Sequence, residues 1–545
     1  MDDRASPELQ IARHFTILVY PFRHGLSSSD RVRALSRLEA RWKPHWGRLD
    51  DKALEVGLDD TWFFLPYVRE LFFPETAHLP DGDVRQQVAA ARHLAESPLT
   101  KLAKRVPADA VLRLTYREGA FKAMRGLQLE YERKDRNGTV VENFTAPFEI
   151  CWIDLALFPQ SMGFLVLKVR MTEDRLSVRR LNDFLYYLRL VHPPKVGWQL
   201  ASWTYADSEG RHPCKGADIV DFLLQDLWGQ WTTRTAPTLD EFLGPTRNAA
   251  SLQRYSMTKH GQVYGQVFHL YTYACLADPQ PPAEPNESLN PTSPDAGRSS
   301  GCDPLFASDF DRALYELATC TDTSTPDYVP DRDYLDTLWD RNRIALWQNW
   351  QGMALRDNVL FLGAQDRGFA LDALAHNVEN DYFHLYLFTL FQKTRLSMMF
   401  GELIRRSAGL NRNLRDARKL WDAFMVFQNR YWFSEVTRKP LATEIYHRFQ
   451  QGLEVLPLYE QIAEQLAHLR DYYEAKVDRA ISSKLNFLAV LGTLLGVPGL
   501  VIALFSTPLV AEPSWTGFLG ASAAMYAAIG TAWIGWRLWN AFSAR

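Results

Sequence analysis

The segment that decides the fold lies near the end of the chain, from Leu485 to Ser506, and reads LNFLAVLGTLLGVPGLVIALFS. It contains no charged residue, and as a helix rising about 1.5 Å per residue it would be about 33 Å long. Since the hydrocarbon core of a bilayer is about 30 Å thick, the segment predicts a transmembrane helix, 485–506. The alternative is one arm of a buried hairpin, although core helices seldom have more than about 14 uncharged residues in a row.

A second uncharged stretch, PSWTGFLGASAAMYAAIGTAWIGW, ends at Trp536 and carries tryptophans near both ends. It predicts a second transmembrane helix at 515–536, after an outer loop at 507–514. Basic residues flank the pair on the side away from the loop: Lys476, Arg479, Lys484, Arg537 and Arg545. The positive-inside rule therefore predicts a multi-pass protein of the cytoplasmic (inner) membrane, with the N-terminus and the 537–545 tail in the cytosol. The first residues, MDDRASPELQ, lack the apolar region of a signal peptide.

The charge balance and the cysteines exclude several classes of protein. The 545 residues carry 61 basic and 64 acidic side chains, a formal net charge of -3, which predicts no nucleic-acid partner. Five cysteines, an odd number without CxxC spacing, do not indicate a disulfide framework or a zinc module. No phosphate-binding glycine motif, GxSxG or HExxH occurs, so the sequence predicts no enzyme and assigns no catalytic residue or cofactor.

The part before the first span divides at a proline-rich linker or loop, 277–304. Before it, apolar runs such as FTILVY (15–20) and GFLVLKV are typical of strands, so 1–276 is predicted to be a cytosolic α/β domain. After it, apolar residues recur at helical intervals, which predicts a cytosolic helical domain at 305–440. Near-heptad apolar spacing continues through 441–484 and predicts one long stalk helix that runs into the first span. An ordinary amphipathic helix packed on its own domain is the alternative for this segment.

This order of elements resembles the CorA family of metal-ion transporters, most closely over 420–545. The resemblance includes the aromatic sequence YWFSEV (431–436) ahead of the stalk and the proline at Pro498 in the first span. It implies a CorA-like fold and a homo-oligomer, by analogy a homopentamer, whose first spans line a pore in a lipid membrane. The implied function is a cation channel or transporter gated by its large cytosolic domain, with a divalent metal as transported or regulatory ion.

The family's Gly-Met-Asn tripeptide is missing, because the outer end of the first span reads Ser506, Thr507, Pro508. Magnesium selectivity therefore does not carry over, and the ion and any metal ligands stay unassigned. Enlarged CorA-like proteins also occur as membrane effectors of prokaryotic anti-phage and CRISPR-linked defence systems, opened by a nucleotide messenger, and this alternative stays open. A membrane-anchored scaffold without a pore is the third class.

Four residues of the first span and its outer end recur at seven-residue intervals: Asn486, Thr493, Leu500 and Thr507. They fall on one helical stripe, and polar side chains are costly in lipid, so the stripe predicts a pore lining with a leucine ring as its gate. The alternative is that the threonine hydroxyls bond to their own helix and Asn486 lies at the headgroups.

Two further groups of residues are candidates. Ser506 and Glu512 would stand at the pore entrance, where one carboxylate from each subunit could concentrate cations, although a solvated loop carboxylate is an equal alternative. A basic run predicts a patch for an anionic messenger or lipid headgroup. It comprises Arg405, Arg406, Arg412, Arg415, Arg418 and Lys419. The alternative for this run is a solvated helix face.

Overall fold

The computed structural model covers most of the chain before the C-terminal region. The residues it describes are 9–24, 31–79, 84–107, 109–117, 126–134, 137, 139–159, 162–190, 199–206, 211–214, 216–224, 227, 267–277, 305–364, 368–410, 414–505, 515–517, 519–527 and 530–531.

Within these described ranges, one large sheet of 13 strands organises the fold. The strands are β1 Gln10–Arg23, β2 Trp42–Pro44, β3 Leu112–Tyr116, β4 Leu127–Lys134, β5 Val140–Phe158, β6 Met162–Met171, β7 Leu176–Ser177, β8 Gln199–Ala206, β9 Arg211–Cys214, β10 His269–Leu276, β11 Arg343–Ile344, β12 Trp350–Ala354 and β13 Asn358–Ala364. The main path runs β11-β12-β13-β10-β1-β6-β5-β4-β8-β9, while β3 joins β5 and β2, and β7 joins β1. Most neighbours are antiparallel, but β10 and β13 are parallel.

The central strands have the apolar sequences expected of strands that are covered on both faces. Every residue of β10 and of β13 is buried, and so is most of β1. Strands in that position lose the alternation of apolar and polar residues, because neither face meets water. The strands that FTILVY and GFLVLKV predicted are therefore confirmed, as β1 and β6.

A β-bulge at Cys151 changes which face of β5 meets the core. Ile150 is opposite Val169 and Trp152 is opposite Lys168, so Cys151 is an extra residue in the strand. Before the bulge, the residues in the hydrophobic core are even-numbered: Phe144, Ala146, Phe148 and Ile150. After the bulge, the core residues are odd-numbered: Ile153, Leu155 and Leu157. Successive side chains of a strand alternate in direction, so the bulge turns the even-numbered residues after it to the opposite face.

The helices surround this sheet or follow it in the chain. The α-helices are Arg31–Leu38, Asp51–Thr61, Pro66–Phe72, Val84–Ala95, Leu99–Arg105, Val178–Leu188, Gly216–Leu224, Asp309–Thr319, Arg332–Asn342, Ala375–Asn377, Phe383–Leu410, Leu414–Tyr431, Pro440–Gly452 and Val455–Phe505. The 3₁₀ turns are His45–Arg48, Pro74–His78 and Pro326–Tyr328, and the π-helical turns are Ala370–Leu374 and Val378–Tyr382. The chain divides into two compact units, 1–408 with 422–460, and 409–421 with 461–545.

The prediction of two transmembrane helices is wrong for the residues that the structure describes. Within these ranges, none of the helices combines the length and the apolar character that crossing a bilayer requires. Val455–Phe505 is long, but charges recur along it as far as Lys484. Of the second predicted span, only 515–517, 519–527 and 530–531 are described.

The predictions that depended on these spans are wrong as well. The two-span, CorA-like fold class, the membrane, transmembrane and channel assignments, and the cytoplasmic-membrane location are wrong. The fold class also described the region after the linker as helical, whereas β11, β12 and β13 lie there and join the same sheet as β1. Of these three strands, β13 pairs with β10, which precedes the linker, and a pairing between such distant segments leaves no local periodicity in the sequence. The 277–304 linker, apart from Ala277, lies outside the described residues.

Candidate functional site

A cavity of about 490 Å³ lies in the first unit, within the size range typical of small-molecule sites. Its walls come from the 3₁₀ turn His45–Arg48, the helix Asp51–Thr61, strands β3 and β5, and the segment from His376 to His384. The lining residues are His45, Trp46, Arg48, Leu49, Asp50, Lys52, Ala53, Val56, Gly57, Asp60, Phe73, Arg113, Trp152, His376, Glu379, Asn380 and His384. Aromatic rings and charged side chains therefore share one space.

Short-range structure fixes the turn that carries His45 and Arg48. Strand β2 pairs with β3 up to Pro44 opposite Leu114, and the 3₁₀ turn begins at the next residue. At its other end, the Asp50 carboxylate accepts a hydrogen bond of 2.7 Å from the Ala53 backbone and caps the following helix. The turn is thus held between a strand pairing and a helix cap.

A chain of polar contacts runs from Asp154 through His45 to Arg113. Nδ1 of His45 lies 3.0 Å from Oδ2 of Asp154, and Nε2 of His45 lies 2.6 Å from Nη2 of Arg113. Because arginine can only donate, Nε2 is the acceptor and Nδ1 carries the ring proton. Thr115 is directly opposite Asp154 in the sheet, and Arg113 follows on the same face of β3, so strand register brings the chain together.

Burial and neighbouring charge set the protonation of this chain. Burial and the Arg113 charge lower the pKa of His45 to about 3, despite the opposing effect of Asp154, so the imidazole is neutral at pH 7. Burial alone would raise the pKa of Asp154, but Arg48, His45 and the Thr115 hydroxyl hold it well below its usual value. Burial also lowers the pKa of Arg113 to about 10, which leaves it charged.

Arg48 and Trp152 form the second part of the site. The Arg48 guanidinium stacks 4.2 Å above the Trp152 ring, and its Nη1 lies 3.5 Å from Oδ2 of Asp154 without hydrogen-bond geometry. Nε and Nη1 of Arg48 are buried and have no hydrogen-bond acceptor among the described residues. Trp152 in turn donates to Oε1 of Glu379 at 3.2 Å. Both Trp152 and Asp154 are on the face that the Cys151 bulge turns away from the core.

The charges around the cavity are nearly balanced. Nζ of Lys168 lies 2.6 Å from Oε1 of Glu379, and Trp46 donates to Oε1 of Glu75 at 2.7 Å. We call one set of six charged residues the ionic network: Arg48, Arg113, Lys168, Glu75, Asp154 and Glu379. Arg48 lies beside Asp154, Lys168 pairs with Glu379, and the charge of Glu75 acts on Arg113. The three cations are thus balanced by three carboxylates, and removing one member would disturb that balance.

At another edge of the cavity, Asp60 meets His376. Oδ2 of Asp60 lies 3.4 Å from Nε2 of His376, and Asn380 donates to Nδ1 of His376 at 3.1 Å. Next to them is Asp381, which is 7% exposed and whose Oδ1 has no hydrogen-bond partner in the described part of the chain. Burial, then the Asp60 charge, raises the pKa of Asp381 to about 7.

None of the residues singled out from the sequence lines this cavity. Asn486 is exposed on the helix Val455–Phe505. Thr493 and Leu500 belong to the same helix, but their side chains are outside the described set, as are Ser506, Thr507 and Glu512 entirely.

The predicted basic patch is divided between two helices. Arg405 is exposed in Phe383–Leu410, and Arg418 and Lys419 are exposed in Leu414–Tyr431. Arg406 and Arg415 belong to these helices without described side chains, and Arg412 lies outside the described residues.

Sequence reasoning missed the cavity, although two signals in the sequence point to it. Charged residues interrupt otherwise apolar strands at Asp154 in WIDLALF and at Arg113 in VLRLTY. In addition, the apolar residues of β5 change from even to odd numbers at Cys151, which indicates a bulge. Neither signal identifies the partners, because these lie far apart in sequence.

Comparison with known proteins does not supply an identity. No protein-family model matches the chain, and no curated protein matches it either. The resemblance to the CorA family therefore stays a prediction.

Proposed function

We propose that this protein binds a small anionic ligand in the cavity, through the guanidinium groups of Arg48 and Arg113. The observation that carries the proposal is that two buried nitrogens of Arg48, Nε and Nη1, have no acceptor among the described residues. Buried donors in proteins are nearly always paired, with protein, water or ligand. An oxyanion beside Arg48 would supply the missing acceptors in the forked geometry that guanidinium prefers.

The chemistry around His45 favours binding over catalysis. A general base needs a free nitrogen and a pKa near the working pH. Nε2 of His45 already accepts from Arg113, and burial lowers the pKa of His45 to about 3. We therefore assign His45 a positioning role: with Asp154 it holds Arg113 against the cavity, where Arg113 also packs over Phe73.

The lining residues also restrict the class of ligand. Because the ionic network is balanced, affinity would come from directed hydrogen bonds more than from net charge. Trp46, Phe73 and Trp152 add apolar surface, which suits a ligand that combines an oxyanion with a flat ring. A nucleotide, the messenger suggested by one reading of the sequence, has this chemistry. The described residues contain no cluster of three metal-ligating side chains, so a metal is not part of the proposal.

The proposal is tested by calorimetric titration of the whole chain with three probes: inorganic phosphate, citrate and AMP. Binding of phosphate alone would indicate a phosphate site, citrate a carboxylate site, and preferential binding of AMP would show that the ring contributes. A charge-assisted hydrogen bond contributes about 1.5–3 kcal/mol, so Arg48→Gln should weaken binding by about 10-fold to 150-fold.

Two further variants make the result specific. Arg48→Lys keeps the charge but loses the fork, so it should restore only part of the affinity. Arg312→Gln changes an arginine that pairs with Asp309 on a helix outside the cavity wall, so binding should be unchanged. The proposal fails if none of the three probes binds, or if Arg48→Gln binds as tightly as the parent.

A further inference from the structure

We propose that Asp60 and His376 form a proton-controlled latch between two walls of the cavity, which slows ligand exchange when it is closed. Asp60 is near the end of the helix Asp51–Thr61, and His376 belongs to the short helix Ala375–Asn377. Both residues line the cavity, and their side chains meet at 3.4 Å. The effect on ligand rests on the proposed function, whereas the latch itself is a property of the free protein.

The wall that carries His376 has an unusual backbone. Two π-helical turns, Ala370–Leu374 and Val378–Tyr382, flank the short helix. Such turns are wider than α-helical ones and are frequent at functional sites. On the sheet side, the hydroxyls of Tyr273 and Tyr271 donate to the backbone carbonyls of Ala370 and Val378 respectively.

The tyrosine contacts and the Asp60 contact act on different parts of this wall. The tyrosines attach its first residue and its second π-helical turn to β10, while the His376–Asp60 pair joins the short helix between them to a separate element. Loss of that pair would release the middle of the wall and leave its attachments to the sheet in place.

Several charged groups face the latch. The pKa of His376 is raised, first by the hydrogen bond with Asp60 and then, against the effect of burial, by the charges of Asp60, Asp381 and Glu379. Asp381 is faced by Asp60, by Lys439 and by His376, and it raises the pKa of Tyr271 and Tyr382 in turn. Both tyrosines stay neutral, so Asp60, His376, Glu379, Asp381 and Lys439 determine the electrostatics.

Proton uptake by either titrating group favours the closed latch. When His376 is protonated, Nδ1 no longer accepts from Asn380, which keeps its hydrogen bond to the His376 carbonyl, while Nε2 makes a charge-assisted hydrogen bond to Asp60 that is about twice as strong as a neutral one. When Asp381 is protonated, it no longer repels the Asp60 carboxylate. As the pH rises, Asp381 ionises near pH 7 and His376, whose pKa is raised above its usual 6.5, loses its charge, so both changes weaken the contact. The latch therefore closes as the pH falls and opens as the pH rises.

Hydrogen–deuterium exchange of the free protein tests the latch without any ligand. After correction for intrinsic exchange rates, 368–382 should be about fivefold more protected at pH 6 than at pH 8. Asp60→Asn should remove this difference, because Asp60 is the partner of both titrating groups, and His376→Gln should reduce it to the part that Asp381 contributes. His447→Gln is the control, since His447 is exposed and lies outside the cavity lining, and it should keep the difference.

Release of AMP tests the consequence for the ligand. Stopped-flow dissociation from the parent should be about fivefold slower at pH 6 than at pH 8, and Asp60→Asn should show only the change that the titration of AMP itself causes. Equal protection of 368–382 at both pH values, or a pH difference that survives in Asp60→Asn, would overturn the latch. Absence of AMP binding with a normal exchange result would count against nucleotide binding and leave the latch supported.

Discussion

Replacement of Asp154 by asparagine should destabilise the protein strongly, because this carboxylate compensates buried cations. Asp154 is 9% exposed, and its Oδ2 lies 3.0 Å from His45 and 3.5 Å from Arg48. Asparagine keeps the shape and an acceptor oxygen but removes the charge. Removal of one partner from a buried ion pair typically costs about 3–5 kcal/mol, so we expect a loss near the lower end, about 3 kcal/mol.

A matched control is present on the same strand. Glu149 pairs with Arg170 at 2.6 Å, but both side chains are more than one third exposed, and exposed pairs contribute less than about 1 kcal/mol. Glu149→Gln should therefore change the free energy of unfolding little. Urea unfolding at pH 7, followed by circular dichroism, measures the free energy of unfolding of both variants. Equal losses of this free energy for Asp154→Asn and Glu149→Gln would show that the ionic network is not buried.

The pH dependence of the Asp154→Asn effect has a definite sign. The pKa of Asp154 is lower in the folded protein than its ordinary 3.8, so its stabilisation is complete above that value. It is lost as the pH falls through the lower, folded value. The difference between parent and variant should be constant from pH 8 to pH 5 and shrink below pH 4. His45 is neutral in both proteins, so its titration largely cancels from this difference.

Two further substitutions test the packing and the titration. A side chain at Gly452 would collide with the backbone of Ala354, so Gly452→Ala should lower the free energy of unfolding in urea by about 1–3 kcal/mol. A side chain at Gly401 meets open space, so Gly401→Ala should stabilise its helix by up to about 1 kcal/mol. Asp381→Asn should be nearly neutral below pH 4 and stabilising at pH 8, because the parent is penalised as Asp381 loses its proton. The pKa of Asp381 is about 7 in the folded protein against an ordinary 3.8, which limits the gain in free energy of unfolding to about 4 kcal/mol. A gain that does not grow with pH would contradict the burial of this carboxyl.

The sequence predicts best where local pattern and tertiary environment agree. β1 and β6 consist of continuous apolar residues, and such runs are characteristic of strands covered on both faces. The three strands after the linker are short and come after segments with helical spacing of apolar residues. Strand β13 pairs with β10, which lies on the other side of the linker in the sequence. Nothing local in NVLFLGA distinguishes a central strand from part of a buried helix. This is why the region was predicted to be helical.

The predicted membrane hairpin rested on two local properties of 485–506, the absence of charge and the length of the segment. Among the described residues, no helix has both the length and the apolar character that a span requires. The pore stripe and the entrance residues were derived from that span, and no described contact tests them. The basic patch at 405–419 was independent of the span and stays a prediction.

The Cys151 bulge connects the fold to the candidate site. Without the extra residue, β5 would either expose Ile153, Leu155 and Leu157 or bury Trp152 and Asp154 in the apolar core, since the side-chain period of a strand is two. With it, Ile153, Leu155 and Leu157 continue the core, while Trp152 lines the cavity on the opposite face of the strand, which also carries Asp154. In an apolar strand that also contains a carboxylate, a switch of the core residues from even to odd numbers therefore has a function beyond strand pairing. It marks a position where the chain keeps its core and, on the opposite face of the same strand, presents the carboxylate that positions His45 and, through it, Arg113.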